Sequence, residues 1–182
     1  MDSLPHRLFA LFRTALFALI FMGAVGIYLP FYLGLLKDPM HISDSRGIGI
    51  LPLLLGAYIA GRCAFSFAWH GRGTPAPFDP PKHLVVTGLY RHVRNPMYTG
   101  MYFFLFGEFL IWGSSFAGCA IYMAVAICGS SAFVLLYEEP ALRRKFPDEY
   151  AEYFAHVPRF LPQLLPWRPE DDKTKSAVSS GS

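Results

Sequence analysis

Four long apolar segments alternate with polar connectors along the chain. They run from about residue 14 to 36, 48 to 70, 97 to 112 and 116 to 137. A helix rises 1.5 Å per residue, so about 20 apolar residues are enough to cross the hydrocarbon core of a bilayer. The pattern therefore predicts an all-α, polytopic membrane helix bundle with about four transmembrane helices.

The spacing within these segments predicts how they pack. The third and fourth segments are joined only by Gly113-Ser114-Ser115, and so short a link forces an antiparallel hairpin. The second segment carries Ala60, Ala64 and Ala68 at intervals of four. Small residues at this interval let helices approach closely in lipid.

Composition supports a membrane protein and excludes other classes. Hydrophobic residues make up 53% of the chain and charged residues only 16%, whereas soluble domains carry about 25% charged residues. A net charge of +3 is too small to indicate a nucleic-acid partner. Three cysteines, all in apolar segments, argue against a disulfide framework. No histidines have metal-ligand spacing, so we expect no metal site.

The distribution of Lys and Arg predicts the orientation. The connector 71–95 carries four of these residues, the chain after residue 137 carries seven, and the turn 113–115 carries none. The positive-inside rule then places both termini and the connector in the cytoplasm. Which membrane holds the protein stays open.

The domain organisation follows from the same pattern. We expect a single integral-membrane domain over residues 1–169. Residues 170–182 are charged and rich in serine, which is typical of a disordered tail.

The first polar motif precedes the third apolar segment and reads Arg91-His92-Val93-Arg94-Asn95-Pro96-Met97-Tyr98. Asn95 is a good N-cap, and Pro96 suits the first position of a helix. The helix would therefore begin with free N–H groups, which favour an anionic group such as an amino-acid carboxylate. Alternatively, Asn95 only caps the helix, and Arg91 and Arg94 only bind lipid phosphate. The preceding residues 82–90 are expected to form a short strand or turn.

The second polar motif, Leu136-Tyr137-Glu138-Glu139-Pro140, follows the fourth apolar segment. Both carboxylates would lie at a helix C-terminus, where the macrodipole disfavours negative charge. They therefore need a partner. Either Arg143 and Arg144 supply it, or the carboxylates bind the ribose hydroxyls or ammonium of a ligand near a sulfonium cation.

The two motifs together resemble the family of membrane methyltransferases that includes isoprenylcysteine carboxyl methyltransferase and phosphatidylethanolamine N-methyltransferase. Residues Phe146, Tyr150, Tyr153 and Val157-Pro158-Arg159 extend the resemblance, which covers about residues 70–162. It implies S-adenosylmethionine as cofactor. It also implies a cytoplasmic pocket formed by the connector before the third helix and by the C-terminal segment.

The resemblance implies a set of donor-binding residues on both motifs. These are Lys82, His83, Leu84, Val85, Tyr90, Asn95, Pro96, Tyr98, Glu138 and Glu139. The two central motifs look more like the phospholipid N-methyltransferases, whereas residues 146–159 look more like the isoprenylcysteine enzymes. The acceptor is thus expected to be lipophilic, either an isoprenylcysteine-like carboxylate or a lipid amine. The acceptor atom, a catalytic residue and the oligomeric state stay open.

Two ionisable residues, Arg62 and Glu108, lie inside apolar segments. Charges within a membrane are functional candidates. Either the two pair with each other, or one of them binds a lipid headgroup or a substrate carboxylate.

Two other functions remain as alternatives. Related membrane sterol reductases share part of the first motif and use a nicotinamide cofactor. A non-catalytic membrane scaffold of the same fold is the second alternative. A transporter would favour an internal repeat or paired broken helices, and the sequence has neither.

Overall fold

The computed structural model describes residues 4–36, 44–71 and 83–168. Within these ranges the chain is helical and contains no β-strand beyond an isolated bridge between Leu36 and Gly113. The expected all-α bundle is confirmed. Lys82, most of the connector before it and the expected disordered tail lie outside the described residues.

The first membrane helix combines α1 (Leu4–Met22), a π-helical turn (Gly23–Tyr28) and α2 (Leu29–Tyr32). Pro30 has no N–H group and would leave a gap in a regular α-helix. The π-helical turn precedes it, and Leu29 N–H donates to the Ala24 carbonyl, five residues back. The helix ends before Gly34, whose φ of 69° is left-handed.

The other helices follow in chain order. A 3₁₀ turn (Asp44–Gly49), α3 (Ile50–Ser66) and a π-helical turn (Phe67–Gly71) form the second membrane helix. A short 3₁₀ turn (Gly88–Arg91) leads to α4 (Pro96–Trp112). Next come α5 (Phe116–Phe133), a π-helical turn (Val134–Glu138) and α6 (Glu139–Lys145). The final helix is α7 (Pro147–His156).

Three of these helices are long and apolar enough to span a membrane: Leu11–Tyr32, Gly47–Gly71 and Phe116–Lys145. The helix α4, with 17 residues, is shorter. Its Leu105 and Ile111 side chains are fully buried, so it lies at the centre of the bundle.

Glycines bring α3 and α4 into backbone contact. A Cβ on Gly56 would lie 2.5 Å from the Gly100 carbonyl oxygen, and one on Gly107 would lie 2.6 Å from the Gly49 carbonyl oxygen. No side chain fits at these distances. The two helices are antiparallel, with residue 56 beside residues 100–104 and residue 49 beside residue 107. The close approach predicted for the second helix is present, and glycines on both helices create it.

The hairpin turn is fixed to the end of the first helix. Ser114 N–H donates to the Leu35 carbonyl at 2.8 Å, and Ser114 Oγ donates to the Gly34 carbonyl at 2.7 Å. Ser115 caps α5 by accepting from Gly118 N–H at 3.3 Å. The end of the bundle that carries the turn 113–115 is therefore held together by hydrogen bonds.

The sequence predicts that the fourth membrane helix ends near residue 137. In the structure this helix continues beyond that point. The π-helical turn Val134–Glu138 accommodates Pro140, and Glu139 N–H donates to the Val134 carbonyl. The helix then continues to Lys145. Glu138 and Glu139 lie within a continuous helix, so the macrodipole argument for these residues is wrong.

Candidate functional site

A cleft lies where the first membrane helix, the connector before α4, the start of α4 and the π-helical turn before α6 meet. We call it the Glu138 cleft. Its lining comprises Phe21, Met22, Phe67, Tyr90, Arg94, Asn95, Met97, Tyr98, Met101 and Glu138. Four of the residues expected from the sequence, Tyr90, Asn95, Tyr98 and Glu138, are thus brought together.

Glu138 is the carboxylate of the cleft. Tyr98, in the first turn of α4, donates its hydroxyl to Glu138 Oε2 at 3.1 Å. The two residues are 40 positions apart in the chain, so only the folded hairpin brings them together. The hydrogen bond fixes one carboxylate oxygen, while the side chain remains partly exposed at the cleft.

Glu139 is held differently. Arg159 donates from Nε to Oε1 at 2.8 Å and from Nη2 to Oε2 at 2.9 Å. Arg94 donates from Nη1 to Oε1 at 2.8 Å. Both carboxylate oxygens are occupied, and the Glu139 side chain is only 7% exposed. Glu139 therefore joins three segments of the chain and is not among the lining residues of the cleft.

The alternative in which Arg143 and Arg144 bind the two carboxylates is wrong. Arg143 places its guanidinium 4.2 Å from the centre of the Phe154 ring. The cations that bind Glu139 are Arg94 and Arg159, which are 45 and 20 positions away. The alternative that Arg94 only binds lipid phosphate fails for the same reason.

Asn95 precedes α4, but its side chain does not cap the helix. Its Nδ2 donates to the Arg159 carbonyl at 3.1 Å. The expectation that Asn95 serves as a side-chain cap is therefore wrong. Because Asn95 does not cap α4, the N–H groups that follow Pro96 are available to another acceptor.

The segment 153–167, called the tail clamp, pairs with the residues just before α4. Tyr153 donates its hydroxyl to the Tyr90 carbonyl at 2.7 Å. Arg94 N–H donates to the Pro158 carbonyl at 2.9 Å, and Gln163 N–H donates to the His92 carbonyl at 2.9 Å. Residues 90–95 are thus held by hydrogen bonds from the tail clamp and, through Arg94, by the Glu139 carboxylate.

Burial keeps the tyrosines of this region protonated. The pKa of Tyr153 is raised because the hydroxyl is desolvated, and the pKa of Tyr90 is raised for the same reason. Burial, followed by the neighbouring Glu139 carboxylate, raises the pKa of Tyr150. All three hydroxyls, which would be neutral at physiological pH in any case, thus stay protonated to more alkaline pH than a free tyrosine.

The remaining expected residues that the structure describes are not among the lining residues of the cleft. Val85 is buried against Cys63 and Tyr90. Leu84 packs against the cluster of Tyr150, Tyr153 and Val157. Pro96 is buried at the start of α4, whereas His83 is exposed.

Sequence reasoning missed six of the ten lining residues. One of them, Arg94, belongs to the first motif but was not among the expected donor-binding residues. Met97 and Met101 lie beside Tyr98 at helical spacing, a signal that could have been used. Phe21, Met22 and Phe67 carry no comparable signal, because they resemble other apolar residues of their membrane helices.

Arg62 and Glu108 do not form the pair considered above. Glu108 follows Gly107, which packs against Gly49 and Leu53, at the start of the second membrane helix. Arg62 lies about nine residues beyond Leu53, or roughly 14 Å along the helix. Arg62 is exposed, while Glu108 is buried with its Oε2 lacking a hydrogen-bond partner.

Comparison with known proteins places this architecture in a family. The chain matches the family model described as phospholipid methyltransferase over residues 45–149, more than half of its length. Searches of curated proteins and of solved structures found no significant match. The matched region contains α3, α4, Tyr98 and Glu138, together with the helical hairpin that carries them. The chain therefore belongs to the phospholipid methyltransferase family.

Proposed function

We propose that this chain transfers a methyl group from S-adenosylmethionine to a lipophilic acceptor, and that the donor binds in the Glu138 cleft. The observation that carries the proposal is the Glu138 carboxylate, fixed by Tyr98 at the junction of the two motifs. Membership of the methyltransferase family supports the reaction type.

The groups around the cleft fit the polar parts of such a donor. Glu138 would accept hydrogen bonds from the donor's ammonium or ribose hydroxyls. The uncapped N–H groups of α4 would bind its carboxylate. Arg94 lines the cleft and keeps a buried Nε without a hydrogen-bond partner, which provides a second donor for the same carboxylate. Phe67 and Tyr90 supply apolar and aromatic surface.

The cleft is too small to hold the donor unless its side chains rearrange. Its cavity volume is about 70 Å³, whereas ligand pockets commonly start at roughly 300 Å³. Side chains must therefore move when the donor enters. Met22, Met97 and Met101 line the cleft, and unbranched methionines change rotamer and repack more easily than other apolar residues.

Positioning is the main catalytic contribution required of this chain. When bound, the donor supplies a methyl group on a sulfonium for in-line displacement. The chain then has to orient the acceptor and exclude water. A carboxylate acceptor needs no base, but an ammonium acceptor must first lose a proton. His92 uses Nδ1 to contact the Gln163 carbonyl and His83 is exposed, so neither is assigned as a base.

The proposed orientation follows from the positive charges. Arg91 and Arg94 of the connector and Arg159 of the tail clamp lie at the same end of the bundle as the cleft, away from the uncharged turn 113–115. By the positive-inside rule this end faces the cytoplasm.

Calorimetry of detergent-purified protein with S-adenosylmethionine, and with its demethylated product, tests the proposal. We expect micromolar binding that Glu138→Gln weakens at least about tenfold, since a charge-assisted hydrogen bond contributes about 1.5–3 kcal/mol. Glu149→Gln, at an exposed carboxylate on α7, is the matched control and should leave binding unchanged.

Two results would overturn the proposal. One is no binding to folded protein at millimolar donor. The other is equal binding by the parent chain and Glu138→Gln. Binding of a nicotinamide dinucleotide in place of the donor would favour the reductase alternative.

A further inference from the structure

The tail clamp carries three exposed leucines, Leu161, Leu164 and Leu165, which we call the leucine patch. Their side chains are 81%, 95% and 82% exposed. In the described part of the chain, none of them forms or packs against the hydrophobic cluster of the clamp, which contains Tyr150 and Tyr153. Large apolar side chains that are grouped and exposed in this way mark a surface that contacts a membrane or another protein.

Hydrogen bonds hold the backbone that presents the leucine patch. Gln163 N–H donates to the His92 carbonyl at 2.9 Å, and Gln163 Nε2 donates to the Arg91 carbonyl at 3.2 Å. Trp167 N–H donates to the same Arg91 carbonyl at 3.0 Å. The ring of Pro162 also fixes the φ angle beside Gln163. The leucines are therefore displayed by an ordered segment and not by a frayed chain end.

The helix α5 and its continuation give the depth of this segment in the membrane. The helix begins at Phe116, directly after the polar turn 113–115, and reaches Glu139 about 23 residues later. This length rises about 35 Å, slightly more than the hydrocarbon thickness of about 30 Å. Arg159 binds both carboxylate oxygens of Glu139. Arg159 thus lies at headgroup depth, and the leucine patch begins two residues after it.

The start of α4 gives the same depth. Asn95 Nδ2 donates to the Arg159 carbonyl at 3.1 Å, and Arg94 N–H donates to the Pro158 carbonyl at 2.9 Å. Both donors directly precede Pro96, where α4 begins. Two separate helices of the bundle therefore place the tail clamp at the same boundary of the bilayer.

We propose that the leucine patch inserts into the boundary between headgroups and acyl chains, in the membrane leaflet at the cleft end of the bundle. Its partner is the bilayer that the chain already spans, so the patch continues the lipid-facing surface of the membrane helices. The tail clamp is then held on one side by residues 91–94 and on the other by lipid. Insertion in this way helps to keep the backbone beside the Glu138 cleft in place, whether or not a methyl donor binds there.

The distribution of charge favours a lipid surface over a protein. Arg144 ends α6 beyond Glu139 and is exposed, and Arg168 directly follows the tail clamp and is also exposed. Cations beside an apolar segment at headgroup depth are attracted to anionic lipid phosphates. The exposed acidic residues Glu149 and Glu152 lie apart from the patch on α7. A second copy would have to present an apolar surface at this same depth, whereas the bilayer reaches the patch in every molecule.

A spin label tests the depth of the patch. Leu164→Cys is made together with Cys128→Ser, because Cys128 is exposed while Cys63 and Cys119 are buried. The full chain is labelled with a nitroxide and placed in phosphatidylcholine nanodiscs at one copy per disc. Power saturation then measures how often the nitroxide collides with oxygen, which concentrates in the bilayer, and with a nickel chelate, which stays in water.

We expect collisions with oxygen to exceed those with the nickel chelate several-fold at position 164. The matched control is Glu149→Cys in the same Cys128→Ser background, at an exposed position on α7. There the nickel chelate should collide more often than oxygen.

Hydrogen exchange tests the same contact without a label. Leu161→Ser, Leu164→Ser and Leu165→Ser are combined, which removes the apolar surface of the patch and leaves the backbone unchanged. In nanodiscs we expect peptides from residues 159–168 to exchange several-fold faster in this triple variant than in the parent chain. Replacement of the same three leucines by isoleucine keeps the apolar surface and should restore the parent rate. Peptides from α5 should exchange alike in all three proteins, which shows that each is folded.

Three results would overturn the inference. If the nickel chelate reaches position 164 as readily as position 149, the leucines face water. If position 164 is shielded only when two copies share a disc, a second copy covers the patch. If the serine variant exchanges like the parent chain, lipid does not hold the clamp. None of these measurements involves S-adenosylmethionine, so this inference and the proposed function can fail separately.

Discussion

Arg159 and Glu139 are joined by two parallel hydrogen bonds, of 2.8 and 2.9 Å. This two-bond geometry is the strongest that an arginine and a carboxylate form. It fixes the tail clamp to α6, and Arg94 adds a third bond from the residues before α4. One buried carboxylate thus holds together three parts of the chain that border the cleft.

Removal of Arg159 should loosen the site. Arg159→Met leaves Glu139 with Arg94 as its cation, and we expect the free energy of unfolding to fall by about 2 kcal/mol, the scale of a charged hydrogen bond. Arg159→Lys should restore only part of this free energy, because an ammonium cannot form both parallel bonds. Thermal unfolding in detergent measures both.

A double variant checks that the loss comes from this pair. In Arg159→Met with Glu139→Gln, the carboxylate is no longer left short of a partner, so the loss should be smaller than the sum of the two single losses. Simple additivity would contradict the assignment.

Tyr98→Phe should weaken donor binding with little loss of stability. The variant removes the hydroxyl that fixes Glu138. A single hydrogen bond contributes about 1 kcal/mol, which corresponds to roughly fivefold in affinity. Calorimetry with S-adenosylmethionine measures the change.

The matched control is Tyr102→Phe, one turn further along α4. Its hydroxyl contacts Ser130 Oγ on α5 and does not line the cleft. If both variants weakened binding equally, the effect would come from the hairpin and not from Glu138.

Gly107→Ala should destabilise the bundle. The added Cβ would clash with the backbone nitrogen of Leu53 and lie 2.6 Å from the Gly49 carbonyl oxygen. The two helices must then separate, and overpacking of this kind costs about 1–3 kcal/mol. Gly129→Ala on α5, where the Cβ meets open space, should be neutral or slightly stabilising. The difference in thermal stability between the two variants distinguishes the loss of helix packing from the general effect of replacing a glycine.

Alkaline pH should destabilise the protein through the buried tyrosines. An unfolded tyrosine loses its proton near pH 10, whereas burial raises the pKa of Tyr153 in the folded chain. The unfolded state therefore releases protons first, and the free energy of unfolding should fall as the pH rises above about 10. Tyr153→Phe should make this decline less steep. An identical slope in both proteins would exclude Tyr153 as a contributor.

The helices could be predicted from the sequence because apolar segments and short links leave few alternatives. The start of α4 at Pro96 was predicted correctly from its proline. The end of the fourth membrane helix was not, because Glu138-Glu139-Pro140 looks like a helix terminus. Pro140 has no N–H group to donate within a regular α-helix. A π-helical turn accommodates it by changing the hydrogen-bonding partners of the residues before it, and residue type alone does not reveal such a turn.

The site was predictable in its motifs but not in its contacts. Glu138 and Glu139 look equivalent in the sequence, yet one lines the cleft and the other is enclosed by two arginines. Adjacent residues on a helix point about 100° apart, so the surrounding chain decides which one faces a ligand. Arg159 turns Glu139 away from a ligand by binding both of its carboxylate oxygens. Arg159 lies outside the family match, which ends at residue 149.

The shortness of α4 has a consequence for the membrane itself. Its 17 residues rise about 25 Å, a few ångströms less than the hydrocarbon thickness of about 30 Å. Glycine contacts lock it to α3, and hydrogen bonds at Ser114 hold the adjoining turn, so α4 cannot lengthen to match. The lipid must adapt instead. Beside α4 we therefore expect the bilayer to thin locally, whereas the three longer membrane helices fit its full hydrocarbon thickness.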